Sequence, residues 1–151
     1  MEKESFDSVC ERILSHEHVK NGIGTLGERS LHAVLKNYIE NDTSKHEQRI
    51  GSFVADIYDG QHITEIQTRN FYSLKKKLSS FLEIAPVTVV YPMPAAKYIS
   101  WIDPDTGEIV SRRKSPRSGK PADMMHELIH ILPFLKNPNL SFRIMYIDME
   151  E

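Results

Sequence analysis

The sequence predicts a mixed α/β domain on three observations: four stretches with hydrophobic residues at helical spacing, a period-two hairpin between the second and third, and a nearly all-apolar run after the third. The chain has 151 residues, 40% apolar and 26% charged, the length and balance of one compact domain, which excludes disorder as the default.

Phe6, Val9, Cys10 and Ile13 mark a short amphipathic helix over about residues 4 to 15, able to cover the core or dock a partner. Asn21-Gly22-Ile23-Gly24 breaks it, and Thr25-Leu26-Gly27-Glu28 opens a second helix in a capping-box pattern, with Leu31, Val34, Leu35, Tyr38 and Ile39 as its buried stripe. From about Glu47 the period changes to two, and Asp59-Gly60 sits between two strand-like runs as a hairpin turn. Residues 70 to 83 read as a third helix buried through Phe71, Leu74, Leu78, Phe81 and Leu82. Pro86 to Tyr91 follows as a strand covered on both faces, which makes a crossover unit with a parallel pair. Tyr98 to Ile102 and Glu108 to Arg112 flank Asp103-Pro104-Asp105-Thr106-Gly107 as a second hairpin. A Pro/Ser/Gly loop then leads to a last helix at roughly 122 to 136, and Leu140 to Ile147 is a final strand. The organisation expected is an N-terminal helix or arm over residues 1–22 and a single domain over 23–151, ending soon after a strand as a fragment of a longer protein would.

Several function classes are excluded early. Nineteen Lys+Arg against twenty-one Asp+Glu gives a net charge of −2, so any nucleic-acid surface has to be local. The single Cys10 makes no internal disulfide and no zinc ribbon. The start Met1-Glu2-Lys3-Glu4-Ser5 is not that of a signal peptide, and no apolar run is long enough to span a bilayer; a cytoplasmic chain without a membrane partner is the expectation.

The chemistry is carried by the first hairpin. With a two-residue Asp59-Gly60 turn, Asp56 faces Ile63 and Val54 faces Glu65, so Asp56 and Glu65 are diagonal neighbours on one face, with Gln67 two residues beyond. Two carboxylates on a rigid hairpin suit Mg²⁺, which takes hard oxygen ligands and keeps waters for a substrate phosphate. The alternative is a solvated sheet face. Sharing that face with Val54 and Ile63 weakens it, because acids among apolar groups need a cation, a proton or partners to offset desolvation.

Asp56, then Glu65-Ile66-Gln67 at the end of a hairpin, preceded by a helix carrying Glu28 and followed by a lysine-rich helix and a buried strand, resembles the PD-(D/E)XK nuclease superfamily. The segments Val54-Ala55-Asp56-Ile57, Glu65-Ile66-Gln67-Thr68 and Val87-Thr88-Val89-Val90-Tyr91-Pro92 are also similar to a family of uncharacterised bacterial proteins associated with that fold, and the resemblance covers about residues 23 to 135. It implies a restriction-endonuclease-like core: a mixed central sheet, made of an antiparallel hairpin or meander plus a parallel crossover strand, flanked by helices. It also implies a Mg²⁺- or Mn²⁺-dependent nuclease acting on DNA, or secondarily RNA, in which Asp56, Glu65 and the Ile66 carbonyl hold the cation and Glu28 is the acid of the first core helix. Two positions depart from the pattern, since Gln67 stands where those nucleases have Lys and Ala55 where they have Pro. A neutral amide does not supply a lysine's charge, which directs attention to Lys75 and Lys77, flanking the stripe of the following helix while Lys76 points away. Glu28 is equally suited to capping its own helix from Thr25-x-x-Glu28.

Arg69 and the acid-free run Arg112, Arg113, Lys114, Arg117 and Lys120 are the candidates for backbone phosphate contact, with Tyr91, Tyr98 and Trp101 able to stack bases or to fill the core. An alternative within the fold is a catalytically inactive nucleic-acid-binding or assembly module, including one that oligomerises. A third reading is a zinc hydrolase, because His126-Glu127-Leu128-Ile129-His130 fits H-E-x-x-H, with His126 and His130 as Zn²⁺ ligands and Glu127 as the base. Against it, the helix stripe expected through Met125, Leu128, Ile129 and Leu132 leaves both histidines on a polar flank with no third ligand in view.

Overall fold

The computed structural model describes residues 4–21 and 28–150, and the side chains of residues 16–28 lie outside that description. It is an α/β architecture: one six-stranded mixed sheet with helices against both faces.

Helix α1, Phe6–Asn21, extends beyond the segment expected to end near residue 15, and buries Val9 completely. Helix α2, Glu28–Ile39, lies against it, with the edge of the Phe6 ring on Tyr38 at 5.2 Å. The expected stripe holds: Val34 and Leu35 are buried, and Leu31 and Ile39 pack with them over Ile66 and Val90 of the sheet. The capping box from Thr25 falls outside the described residues, as does the side chain of Glu28.

Strands β1 (His46–Ile50), β2 (Phe53–Tyr58) and β3 (Ile63–Ile66) form an antiparallel meander. The turn between β2 and β3 corrects the expected one. Asp59 Oδ1 accepts the N–H groups of Gln61 at 2.9 Å and His62 at 2.7 Å, so the side chain organises a four-residue loop in place of a two-residue turn. The register moves accordingly: Tyr58 pairs with Ile63 and Ile57 with Thr64, and the next step sets Asp56 opposite Glu65. Val54 shares the face of Asp56 as expected but is exposed, while Ala55 and Ile57 are the buried residues of β2.

A 3₁₀ turn at Phe71–Ser73 leads into α3, Leu74–Phe81, whose Leu74, Leu78 and Phe81 are buried with Phe71, as the spacing predicts. The chain then crosses to β4, Val87–Ile102, which runs parallel to β3. β4 is one strand of 16 residues where two were expected. It continues through Pro92 and Pro94 because β3 has ended there; on that side the Pro94 carbonyl accepts the N–H of Gly119 at 2.8 Å, and no ladder donor is required. A Cβ on Gly119 would stand 2.3 Å from Met93 Cγ, so this approach of loop to strand requires glycine.

Strand β5, Ile109–Lys114, returns antiparallel along the far end of β4, the second hairpin as expected. Helix α4, Pro121–Leu128, opens with proline, and Asp123 caps it by accepting the Lys120 N–H at 2.8 Å. It is shorter than the expected helix: residues Ile129–Phe134 are 3₁₀, with non-helical backbone at Ile131 and Pro133 unable to extend an α-helix. Its buried side is the expected one only at Leu128, which packs against the core. Met124 and Ile131 are buried, whereas Met125, Ile129 and Leu132 are exposed, because two adjacent apolar stripes run along this segment and only tertiary packing selects between them. Strand β6, Leu140–Glu150, lies parallel to β4 on its other side. Two cores result. Leu35, Ile66 and Val90 fill one beneath α1 and α2, and Ile63, Phe71, Leu78, Val89, Met93 and Ile131 belong to the other beneath α3 and α4.

Candidate metal centre

The main-chain pairing of β2 with β3 stops at Ile57 and Thr64, and side chains take over from there. Glu65 Oε1 accepts the Asp56 N–H at 3.0 Å, and Asp56 Oδ2 accepts the Ile66 N–H at 2.7 Å. Each carboxylate thus satisfies a backbone donor of the other strand, as buried amides require. The geometry differs from the expected diagonal pair but brings the two acids to one junction between the strands.

Their surroundings are unequal. Glu65 is 1% exposed, and its second oxygen takes a hydrogen bond from Lys77 Nζ at 2.9 Å. Burial pushes its carboxyl up to about 7 and the Asp56 charge adds to the effect, while Lys77 and the Asp56 N–H oppose it. Asp56 keeps a solvent-accessible edge, and there His32 of α2 approaches, its Nε2 3.7 Å from Asp56 Oδ2. The same nitrogen is 2.6 Å from the Ile66 carbonyl, to which it donates, since a carbonyl only accepts. Asp56 Oδ2 and the Ile66 oxygen are therefore neighbouring oxygen atoms, with His32 Nε2 beside both. His32 is absent from the sequence reading. The available signal was its position one helical turn after Glu28, on the edge of the Leu31, Val34 and Leu35 stripe.

Between the candidate lysines the structure selects one. Lys77 reaches Glu65, Lys75 lies over the Tyr72 ring at 5.1 Å, and Lys76 is exposed. Gln67 does not join the carboxylates: its side-chain nitrogen donates to the carbonyls of Arg69 and Asn70, so the amide holds the loop that enters α3. Its backbone N–H extends the parallel ladder to Val90 at 2.9 Å. Arg69 stands exposed in that loop.

The basic run is elsewhere. Arg112, Arg113 and Lys114 pair with Tyr98 to Ser100 at one end of β4, whereas the carboxylates adjoin Val89 and Val90 near the other. Arg112 stacks on Tyr98 at 4.1 Å and pairs with Glu150 at 3.1 Å, Arg113 lies over Trp101 at 5.1 Å, and Arg117 and Lys120 are exposed in the following loop. Tyr91 is a core ring, edge-on to Phe71 at 5.8 Å.

The H-E-x-x-H segment is divided between α4 and the 3₁₀ segment, so one α-helix does not present both histidines. Glu127 Oε2 accepts the Phe71 N–H at 2.9 Å, and the His130 ring meets Tyr72 edge-on at 6.3 Å. Among the described residues no three His, Cys, Asp or Glu side chains gather as a metal site. No helix among them is long and apolar enough to cross a membrane.

Residues 29–151 match the family described as "Domain of unknown function (DUF8091)". The chain is 33% identical over 130 residues to an uncharacterized protein of Treponema pallidum (strain Nichols), an alignment that takes in 85% of this chain and 51% of that protein. The chain thus spans about half the length of the curated relative it matches. No solved structure matches it at a significant level.

Proposed function

We propose that this chain, which belongs to the DUF8091 family, is a Mg²⁺- or Mn²⁺-dependent nuclease of restriction-endonuclease-like architecture that hydrolyses phosphodiester bonds in DNA. The observation that carries the reading is the junction of β2 and β3, where two acids on facing strands meet a lysine from the next helix. The element order supports it: a helix, a three-stranded meander, a helix and a parallel strand follow the succession that the resemblance to PD-(D/E)XK nucleases implies.

The donor set fits a divalent cation. Asp56 Oδ2 and the Ile66 carbonyl are hard oxygens side by side, and Glu65, whose carboxyl burial pushes up to about 7, has an ionised form that a nearby cation would favour. With its hydrogen on Nδ1 in place of the bond to the Ile66 carbonyl, His32 Nε2 would add an imidazole nitrogen, which suits Mn²⁺ better than Mg²⁺. A cation held by Asp56 and the Ile66 carbonyl would polarise the scissile phosphate and lower the pKa of the attacking water. Lys77 places a positive charge beside Glu65, the charge that Gln67 lacks, and stabilises the developing anion. Gln67 orders the loop from which α3 starts and so holds Lys77 in place.

A second reading, a catalytically inactive nucleic-acid-binding module on the same fold, draws on a different fact: both Glu65 oxygens are already engaged by groups of the chain. Isothermal titration separates binding from its absence. Mn²⁺ binding that vanishes in Asp56→Asn supports the metal centre, and no binding in the unaltered chain leaves the inactive module.

A further inference from the structure

Strand β5 ends the sheet, and all six of its residues are exposed. Past Tyr98, the last β4 residue paired with β6, β4 and β5 run on as a two-stranded ribbon. Two strands alone are marginal in water. This ribbon also exposes Trp101 (48%), Ile102 (49%), Ile109 (58%) and Val110 (69%), large apolar side chains left to solvent on a two-stranded element.

Charge along the ribbon is polarised. Its tip holds Asp103, Asp105 and Glu108, and its base holds Arg112, Arg113, Lys114, Arg117 and Lys120, of which Arg112 is paired with Glu150. A nucleic acid lying along it would be attracted at the base and repelled at the tip. A second copy laid antiparallel matches acid to base at both ends, as an isologous contact does.

We propose that the β5 edge is a self-association surface, where two copies pair their β5 strands antiparallel about a twofold axis and join their sheets. With the axis between Ser111 and Arg112, Val110 of one copy faces Arg113 of the other, its aliphatic side chain along the arginine stem. Glu108, just before β5, then lies beside the end of the second copy's strand, where Arg113 and Lys114 close β5 and Arg117 follows in the loop. The pairing covers an exposed edge strand that would otherwise template aggregation.

Sedimentation equilibrium of the full chain tests this. A concentration-dependent dimer is expected, with Val110→Asp monomeric and folded by circular dichroism. Glu108→Lys and Arg117→Glu should each weaken the dimer by about tenfold, since each acts twice across the axis, and together they should restore it to within about threefold. Within one copy Glu108 and Arg117 stand at opposite ends of the ribbon, so rescue has to come between copies; it remains readable even where Val110→Asp fails to fold. A chain monomeric at every concentration, a dimer unaffected by Val110→Asp, or charge reversals that do not rescue one another would overturn the proposal. So would a monomer whose duplex DNA affinity rises in Glu108→Lys and falls in Arg117→Glu, which would make the ribbon a nucleic-acid arm.

Discussion

Lys77 of α3 donates to the Glu65 carboxyl of β3 at 2.9 Å, which puts a positive charge against an acid that is 1% exposed. The pair joins a helix to the strand whose Gln67 lacks a cation of its own, and the nuclease reading makes this lysine the electrostatic element of the site.

Cleavage should therefore depend on one lysine of three. Single-turnover assays with Mn²⁺ should show Lys77→Ala depressed by about 10²-fold or more, the order for losing one transition-state-stabilising group. Lys75→Ala, removed from the Tyr72 ring, and Lys76→Ala should stay near the unaltered rate. Gln67→Lys should not raise it, because that side chain is directed into the 69–73 loop.

What the sequence made legible was the part governed by local periodicity. The stripes of α2 and α3 and the crossover to β4 follow from the spacing of residues such as Leu35, Leu74 and Leu78. The Asp59 side chain defeated the turn assignment, since the choice between two and four loop residues rests on hydrogen bonds from Gln61 and His62, which composition does not reveal. The strand through Pro92 and Pro94 depends on β3 stopping, and the buried side of α4 on two equivalent apolar stripes. At the site, the two acids were legible from strand alternation, but His32 comes from a distant helix and Lys77 is distinguished from Lys75 by its contacts alone.

Stability should vary with pH through Glu65. Its carboxyl lies at about 7 in the fold against an ordinary value of 4.5, so between those values the folded chain holds a proton that the unfolded chain has lost. Its contribution is complete below about pH 4.5, declines as pH rises to about 7, and is level above. Urea denaturation should show the unaltered chain losing more stability from pH 5 to pH 8 than Glu65→Gln does. Mn²⁺ at pH 8, which favours the ionised form, should stabilise the unaltered chain and leave Asp56→Asn unchanged.

His32 should tune the choice of metal. In calorimetric titrations His32→Ala should lose about tenfold or more in Mn²⁺ affinity while Mg²⁺ affinity changes less, because imidazole nitrogen contributes more to the softer ion. Equal losses for both ions would reduce His32 to a prop for the Ile66 carbonyl.

Glu127 should behave as a structural cap. Glu127→Ala removes the acceptor for the Phe71 N–H and should cost about 1 kcal/mol of stability by urea denaturation, with DNA cleavage retained. Stoichiometric zinc that is lost in His130→Ala would instead revive the hydrolase reading of this segment.

The most direct test of the nuclease reading is single-turnover cleavage of linear, branched and single-stranded DNA with Mn²⁺, comparing the unaltered chain with Glu65→Ala. The account predicts cleavage of at least one substrate, reduced by about 10²-fold or more in Glu65→Ala. Equal activity in the two proteins, or none in either, would contradict it.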